Sequence, residues 1–359
     1  MTKRDLLLFA FCPLPCFVAI AGQSVKDRAR VVFGVPVAEL TRASSAHFIV
    51  WSETPHPIPH MVIESLEETF DAVLRFCARQ GLLADSPAPA VDKLLVGFFR
   101  EPARFHDYCS RSGIRGGQSN GIFDQANNVT VLYDLWGHPE MQSLSEAIER
   151  LRRQRPSGEV PSEAETRLKE NRDVLEKFNR LVLRHEVAHQ VLFNLGVQVR
   201  GVDNPAWFTE GLACQFEVPS NENQLPGING DRLADLRIAL ALASDAQDAT
   251  ESQWQTALAA GKLVDLIELI TDDQALDPAN DHAPHRYAQA WSLVYSLLHE
   301  PQPGLPGIDG YVRLLSHRKP GETVSREREL ADFTSSFGRP DESFKRGWLA
   351  CILKLSLPH

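Results

Sequence analysis

The chain has 359 residues, enough for one large domain or two ordinary ones, and its 43% hydrophobic and 23% charged residues are typical of a globular protein. The formal net charge of −10 argues against a nucleic-acid partner, which would select for a basic face that neutralises phosphates.

Residues 1–21 have the pattern of a signal peptide. A short basic start is followed by an almost uncharged run from Leu6 to Ala21, and the small residues Ala19 and Ala21 form an A-x-A-like cleavage site. The run is shorter than the roughly 20 apolar residues of a transmembrane helix. We therefore expect a secreted or periplasmic protein with no stable membrane anchor. The alternative is a buried N-terminal segment of a cytosolic protein.

The next part of the chain is rich in strand patterns. Apolar and β-branched runs predict strands, apolar residues at helical spacing predict a helix, and an Asn-rich turn between two β-rich runs predicts a hairpin. In chain order we expect a strand at His47–Trp51, a helix at Met61–Leu83, a strand at Lys93–Phe99, a short helix at Pro102–Gly113 and a hairpin of Gly121–Phe123 with Val129–Tyr133.

Helical patterns dominate the rest of the chain. Residues 137–172 are charged and polar and predict a partly helical surface insertion, whereas 301–359 predict a tail of small helices. The helices expected between them are Val174–Leu195, Trp207–Glu217, Arg232–Leu242, Leu258–Ile270 and Tyr287–His299. Because strands come first and helices follow, the fold class is predicted to be α+β.

Four cysteines remain once the signal peptide is removed, namely Cys77, Cys109, Cys214 and Cys351. An even number in an exported protein permits two disulfides with three alternative pairings. Four buried thiols that pack as small apolar residues are the other interpretation. The sequence leaves both open.

The first indication of a catalytic or metal site is an H-E-x-x-H motif on the first long helix after the sheet. His185 and His189 are four residues apart, so on a helix they project from one face and can bind one Zn²⁺. In this motif Glu186 is the general base that takes a proton from the attacking water. Two surface histidines on a solvated helix are the alternative, but the apolar residues around the motif indicate a buried helix.

A third ligand is expected on the second helix, because a catalytic zinc site uses three protein ligands and one open position. Glu210 follows His189 after enough chain for a loop and a returning helix, and the small Gly211 and Ala213 allow the helices to approach. Glu217 lies two turns later on the same face. We predict that it holds a ligand histidine through its other nitrogen, the alternative being an exposed carboxylate at a helix end.

Two segments, His185–Gln190 and Trp207–Ala213, give the chain a resemblance to the gluzincin metallopeptidases of the peptidase-MA clan. The resemblance extends loosely over residues 45–300. Within the clan, the chain is similar to the peptidase-MA-like families of exported bacterial proteins. It implies a zincin-like fold with a β-rich part at 45–135, the insertion at 137–172 and a helical part at 173–300 that carries the zinc helices.

The resemblance also implies site roles. His185, His189 and Glu210 would be the zinc ligands, with Glu186 as base. A peptide substrate would lie as an added strand along a sheet edge, which we place in the Gly121–Tyr133 hairpin.

Gluzincins further use a Tyr or His to stabilise the oxyanion of the tetrahedral intermediate. Tyr287 is the best match by resemblance, and His282 and His285 are alternative donors. The other interpretation of Tyr287 is an aromatic residue that packs in the core. Aminopeptidase-like members carry an acidic residue in a strand that grips the substrate's amino group. The segment Gly117–Gly121 lacks that acid, so the sequence does not predict aminopeptidase specificity.

The function expected from the sequence is that of an exported zinc metallopeptidase, a hydrolase that cleaves peptide bonds in peptide or protein substrates with one catalytic Zn²⁺. Two other functions remain open: a non-catalytic exported peptide-binding protein with a vestigial zinc site, and a zinc-dependent hydrolase of non-peptide amides or esters.

Overall fold

The computed structural model describes residues 25–34, 38, 40–53, 58, 60–83, 93–114, 119–134, 143, 146, 150, 153, 162–219, 227–243, 246 and 248–356. The predicted signal peptide, residues 1–21, lies outside the described residues. Within them the fold is α+β, because a five-stranded mixed sheet comes first and helices dominate the remainder. The predicted fold class is therefore confirmed.

The order of the elements follows the predicted one, with an additional helix and strand at the start. The first elements are α1 (Val25–Phe33), β1 (Thr41–Ser44), β2 (Phe48–Ser52), α2 (His60–Arg79), β3 (Leu94–Phe99), α3 (Pro102–Arg111), β4 (Gly121–Asp124) and β5 (Val129–Tyr133). They are followed by α4 (Ser162–Asn194), α5 (Ala206–Ala213), α6 (Gly230–Ala239), α7 (Glu251–Ala259), α8 (Leu266–Thr271), α9 (Ala283–His299), α10 (Gly307–Ser316), α11 (Arg326–Phe337) and α12 (Glu342–Leu353).

The described residues divide into two compact units whose boundaries fall inside helices. The first unit takes the described residues of 1–67 and 92–186, and the second takes those of 68–91 and 187–359. Helices α2 and α4 are continuous across these boundaries.

The first unit is built on the sheet, whose strand order is β1-β2-β3-β5-β4. Strands β2, β3 and β5 are parallel, and β1 and β4 pair antiparallel at the two edges of the described sheet. Every residue of β3 is buried, which explains its continuous apolar sequence. A Cβ at Gly97 would lie 3.0 Å from both Val32 and Val131, so glycine allows α1 to pack closely on β3.

The face of β5 opposite to the one that carries Val131 contacts α4. Side chains alternate along a strand, so Thr130 points away from Val131, and its hydroxyl donates to the backbone carbonyl of Glu186 at 3.3 Å. A Cβ at Gly121 would lie 2.7 Å from Val182 and 3.2 Å from the Cγ atom of Glu186. The first residue of the edge strand β4 therefore touches the helix that carries the H-E-x-x-H motif.

The second unit is helical in its described part and has the buried helix α9 in its core. Helix α5 packs against α9 at Gly211, where an added Cβ would lie 2.6 Å from the carbonyl oxygen of Ala290. The C-terminal helices pack against α5 through an aromatic cluster of Trp207, Phe208, Tyr311, Phe333, Phe337 and Phe344.

Two helices differ most in extent from the prediction. The single helix expected at Leu258–Ile270 is wrong, because the structure has α7 and α8 there. Gly261 adopts a φ of 67°, which ends the first helix, and the carboxylate of Asp265 caps the second by accepting from the Ile267 N–H at 2.9 Å. Helix α4 begins at Ser162, so the end of the predicted 137–172 insertion belongs to the motif helix.

The four cysteines, Cys77, Cys109, Cys214 and Cys351, are all buried, as the interpretation as packed thiols expects. Burial raises the pKa of the Cys77 thiol to about 12. Among the described helices, none is both long enough and apolar enough to cross a membrane.

Candidate metal centre

Three buried side chains converge from α4 and α5. His185 and His189 lie one turn apart on α4 and Glu210 lies on α5, and one donor atom from each is within 4.8 Å of the other two. All three are less than one-tenth exposed. The structure therefore brings together the three residues that the sequence predicts as ligands, in a group that could hold a metal ion.

The spacing between two of these donors fits a shared cation. His189 Nε2 lies 3.4 Å from Glu210 Oε2. Two ligands at roughly 2.0–2.1 Å from a tetrahedral zinc ion stand about 3.3–3.4 Å apart, whereas a direct N–H···O hydrogen bond favours about 2.9 Å. Nε2 is thus the nitrogen of His189 that faces the metal position.

The N-terminus of helix α5 is capped by a side chain from a distant part of the chain. Pro205, which precedes the helix, supplies no side-chain cap. The Ala206 N–H instead donates to Asp273 Oδ1 at 2.7 Å. A carboxylate at a helix N-terminus satisfies an otherwise unpaired donor and complements the helix dipole. Asp273 therefore helps to fix the helix that presents Glu210.

Asp273 also lies among other acidic groups. Burial, together with the charges of Asp203, Glu329 and Asp272, raises its pKa from 3.8 to about 6 despite the opposing effect of the hydrogen bond from Ala206. Because the folded pKa exceeds the unfolded one, this group favours folding most below pH 3.8, and that contribution is lost as the pH rises through about 6.

We expect Asp273→Asn to stabilise the protein at pH 7.5 by roughly 1–3 kcal/mol, because the amide keeps an acceptor for Ala206 without a buried charge. The measurement is the free energy of urea unfolding at pH 4.5, 6 and 7.5 for both proteins. The gain should shrink toward pH 4.5, and comparison at each pH cancels effects common to both proteins.

The control for this substitution is Asp265→Asn, which makes the same exchange at the exposed cap of α8. Equal stability of Asp273→Asn and wild type at pH 7.5 would contradict the prediction.

Glu186 directly follows the first histidine and is 3% exposed. Its Cγ atom lies near Gly121 at the start of the edge strand, and its carbonyl accepts the Thr130 hydroxyl. Glu186, which the sequence predicts as general base, thus lies where the motif helix contacts the β4–β5 hairpin.

Glu217 is buried, so the exposed-carboxylate alternative is excluded. Its two oxygens accept from Arg232, at 2.5 Å from Nη2 and 3.0 Å from Nε, and one also accepts from Asn229 at 2.6 Å. Glu217, Cys214 and His185 also form a group with donor atoms within 4.8 Å of one another. The guanidinium of Arg232 already neutralises this carboxylate and would repel a second cation, so only the group with His189 and Glu210 suits a metal.

Tyr287 is fully buried in α9, and the Arg232 guanidinium carbon lies 5.6 Å from the centre of its ring. His285 is buried beside the half-exposed His282, with ring centres 6.0 Å apart. The burial of Tyr287 agrees with the core-aromatic interpretation, and its role as oxyanion donor stays a prediction.

Sequence analysis did not identify Gln198, Arg232 or Asp273. Gln198 contacts His189, Arg232 pairs with Glu217, and Asp273 bonds α5. A partial signal existed for Gln198, because Gly196 ends α4 and turns the chain back toward the motif. No pattern indicated the partners of Arg232 and Asp273, which lie 15 and 67 residues away in the chain.

Comparison with known proteins adds one match. Residues 181–322 match the family described as Protein of unknown function (DUF1570). A search of curated proteins found none that matches the chain. The matched segment covers less than half of the chain but includes every predicted ligand, Glu186, Glu217 and Tyr287. The chain is therefore similar to this family over the part that holds the candidate metal centre.

Proposed function

We propose that the chain is a zinc-dependent peptidase of the gluzincin type. The observation that carries the proposal is the buried group of His185, His189 and Glu210, in which His189 Nε2 and Glu210 Oε2 lie 3.4 Å apart, with the buried Glu186 next to His185 on the same helix. Two imidazoles and one carboxylate are a ligand set that zinc favours in hydrolytic sites, where a fourth position stays open.

When bound here, zinc would act as a Lewis acid that makes water more acidic and polarises the scissile carbonyl. Glu186 then performs the proton transfers. Its carboxylate takes a proton from the attacking water and gives it to the leaving amine as the peptide bond breaks. In this proposal Tyr287, or His282 or His285, donates a hydrogen bond to the oxyanion.

A peptide substrate is favoured by the position of Glu186 against the edge strand. β4 is one of the two outer strands of the described sheet, and a Cβ at its first residue, Gly121, would lie 3.2 Å from the Cγ atom of Glu186. An extended peptide that pairs with β4 would therefore pass the general base. The predicted signal peptide supports a site of action in the periplasm or outside the cell.

Metal analysis tests the proposal most directly. We expect about one zinc per chain in the purified wild-type protein and almost none in His189→Ala, because loss of one of three ligands removes most of the affinity. Elemental analysis after extensive dialysis measures both.

The matched control is His60→Ala, which removes an exposed histidine on α2 and should keep its zinc. Folded wild-type protein that takes up no zinc would overturn the proposal and favour the non-catalytic peptide-binding function.

A further inference from the structure

Gln198 lies beside the nitrogen of His189 that faces away from Glu210. Its amide nitrogen is 3.0 Å from His189 Nδ1, and the residue is 4% exposed. A buried amide against the outer nitrogen of a predicted ligand needs an explanation, because buried polar groups are stabilising only when their hydrogen bonds are made.

The loop after α4 holds Gln198 in this place. Gly196 has a φ of 81°, a left-handed conformation that reverses the chain at the helix end. The N–H groups of Val197 and Gln198 both donate to the Leu192 carbonyl, at 2.9 and 3.3 Å. The main chain of Gln198 is thus anchored on the last turns of the motif helix.

The other end of this loop is anchored by Asn204. Its Oδ1 accepts from the Val199 N–H at 2.9 Å, and its Nδ2 donates to the Val199 carbonyl at 2.8 Å. Fixed on both sides, the backbone around Gln198 directs its side chain at His189.

The chemistry of imidazole determines which way the hydrogen bond must run. His189 Nε2 faces Glu210 Oε2 at 3.4 Å and is the nitrogen placed for a metal. A nitrogen that binds a metal uses its lone pair, so the imidazole proton must reside on Nδ1 and needs an acceptor. Gln198 is at hydrogen-bond distance from Nδ1.

An amide can supply that acceptor without a change of shape. A half-turn about the last torsion of the glutamine side chain exchanges Oε1 and Nε2 and so brings the oxygen to Nδ1. A neutral amide also adds no further negative charge beside Glu210 and Glu186.

We infer that Gln198 is a positioning residue of the metal centre: its Oε1 accepts from His189 Nδ1–H and so keeps the Nε2 lone pair directed at the metal. This inference rests on the proposed function for the presence of the metal. It adds the partner that selects the tautomer and orients the ring.

The test compares an acceptor and an apolar replacement of similar size. Gln198→Glu keeps an acceptor and removes the donor, whereas Gln198→Met removes both. The affinity for Zn²⁺ at pH 7.5, measured by competition with a chelating dye, should fall about tenfold to hundredfold in Gln198→Met. It should stay within about threefold of wild type, or become tighter, in Gln198→Glu.

The control is Gln289→Met, which removes an equally buried amide that bonds the Val264 backbone at 3.1 and 2.7 Å. It should lower stability without lowering zinc affinity. Gln198→Ala serves as a second apolar variant if Gln198→Met does not fold, and the absorption spectrum of bound Co²⁺ reports the ligand geometry independently of activity.

Two results would overturn the inference. Equal weakening by Gln198→Glu and Gln198→Met would mean that zinc affinity does not depend on a hydrogen-bond acceptor at this position. Unchanged affinity in Gln198→Met would mean that the contact does not orient the ligand. Both are distinct from failure of the proposed function, in which wild-type protein would bind neither Zn²⁺ nor Co²⁺ and the inference would fall with its premise.

Discussion

Glu186→Gln abolishes peptide hydrolysis and leaves zinc in place: this is the expected result for the general base. The glutamine amide has the shape of the carboxylate but cannot take a proton from water, so we expect kcat to fall by about a thousandfold or more. The measurement combines kcat/KM on a peptide selected from a library with the zinc content of the same preparation.

The matched control is Glu170→Gln, which makes the same change at an exposed position of α4. It should keep full activity. Substantial activity in Glu186→Gln would refute the assignment of the base. If the wild-type protein binds zinc, leaves the peptide library intact and cleaves esters or non-peptide amides, the peptidase function is refuted. The function as a zinc-dependent hydrolase of non-peptide amides or esters is then supported.

The second large effect concerns stability and is expected for Arg232→Met. The side chains of Glu217 and Arg232 are 0% and 1% exposed, so this substitution leaves a buried carboxylate without its counter-charge. Breaking such a pair costs about 3–5 kcal/mol. The measurement is the free energy of urea unfolding, monitored with a spectroscopic signal that arises in the second unit.

A double-variant cycle shows whether the loss comes from the unpaired charge. Arg232→Met combined with Glu217→Gln should recover a large part of the stability, because neither charge then remains. Arg313→Met breaks an ion pair whose arginine is 71% exposed, and it should cost less than about 1 kcal/mol. A loss in Arg232→Met no larger than in this control would refute the prediction.

The sequence predicted the site where its signals were local. The four-residue spacing of His185 and His189 specifies one helix face, and the apolar residues around them specify burial. The small Gly211 was expected to let α5 approach the motif helix, but the structure places it against Ala290 of α9. The inferences about helix face and burial need only helix geometry and a few neighbouring residues, so they could be made without a structure.

The residues that sequence analysis missed depend on contacts between distant parts of the chain. Asp273 bonds Ala206, and Arg232 satisfies Glu217, but nothing in the pattern of either residue specifies its partner. The wrong helix at Leu258–Ile270 has a different cause. Its apolar spacing continued across Gly261, and the left-handed conformation there overrode the periodicity.

The close contact of Gly211 with Ala290 bears on the energetics of metal uptake. The backbone next to Glu210 abuts the backbone of α9, so the predicted ligand lies on a helix that is closely packed at this point. An arriving ion would meet a preorganised set of donors, and little of its binding free energy would be spent on ordering the chain. In this respect the centre differs from zinc-finger domains, in which metal binding and folding are one event.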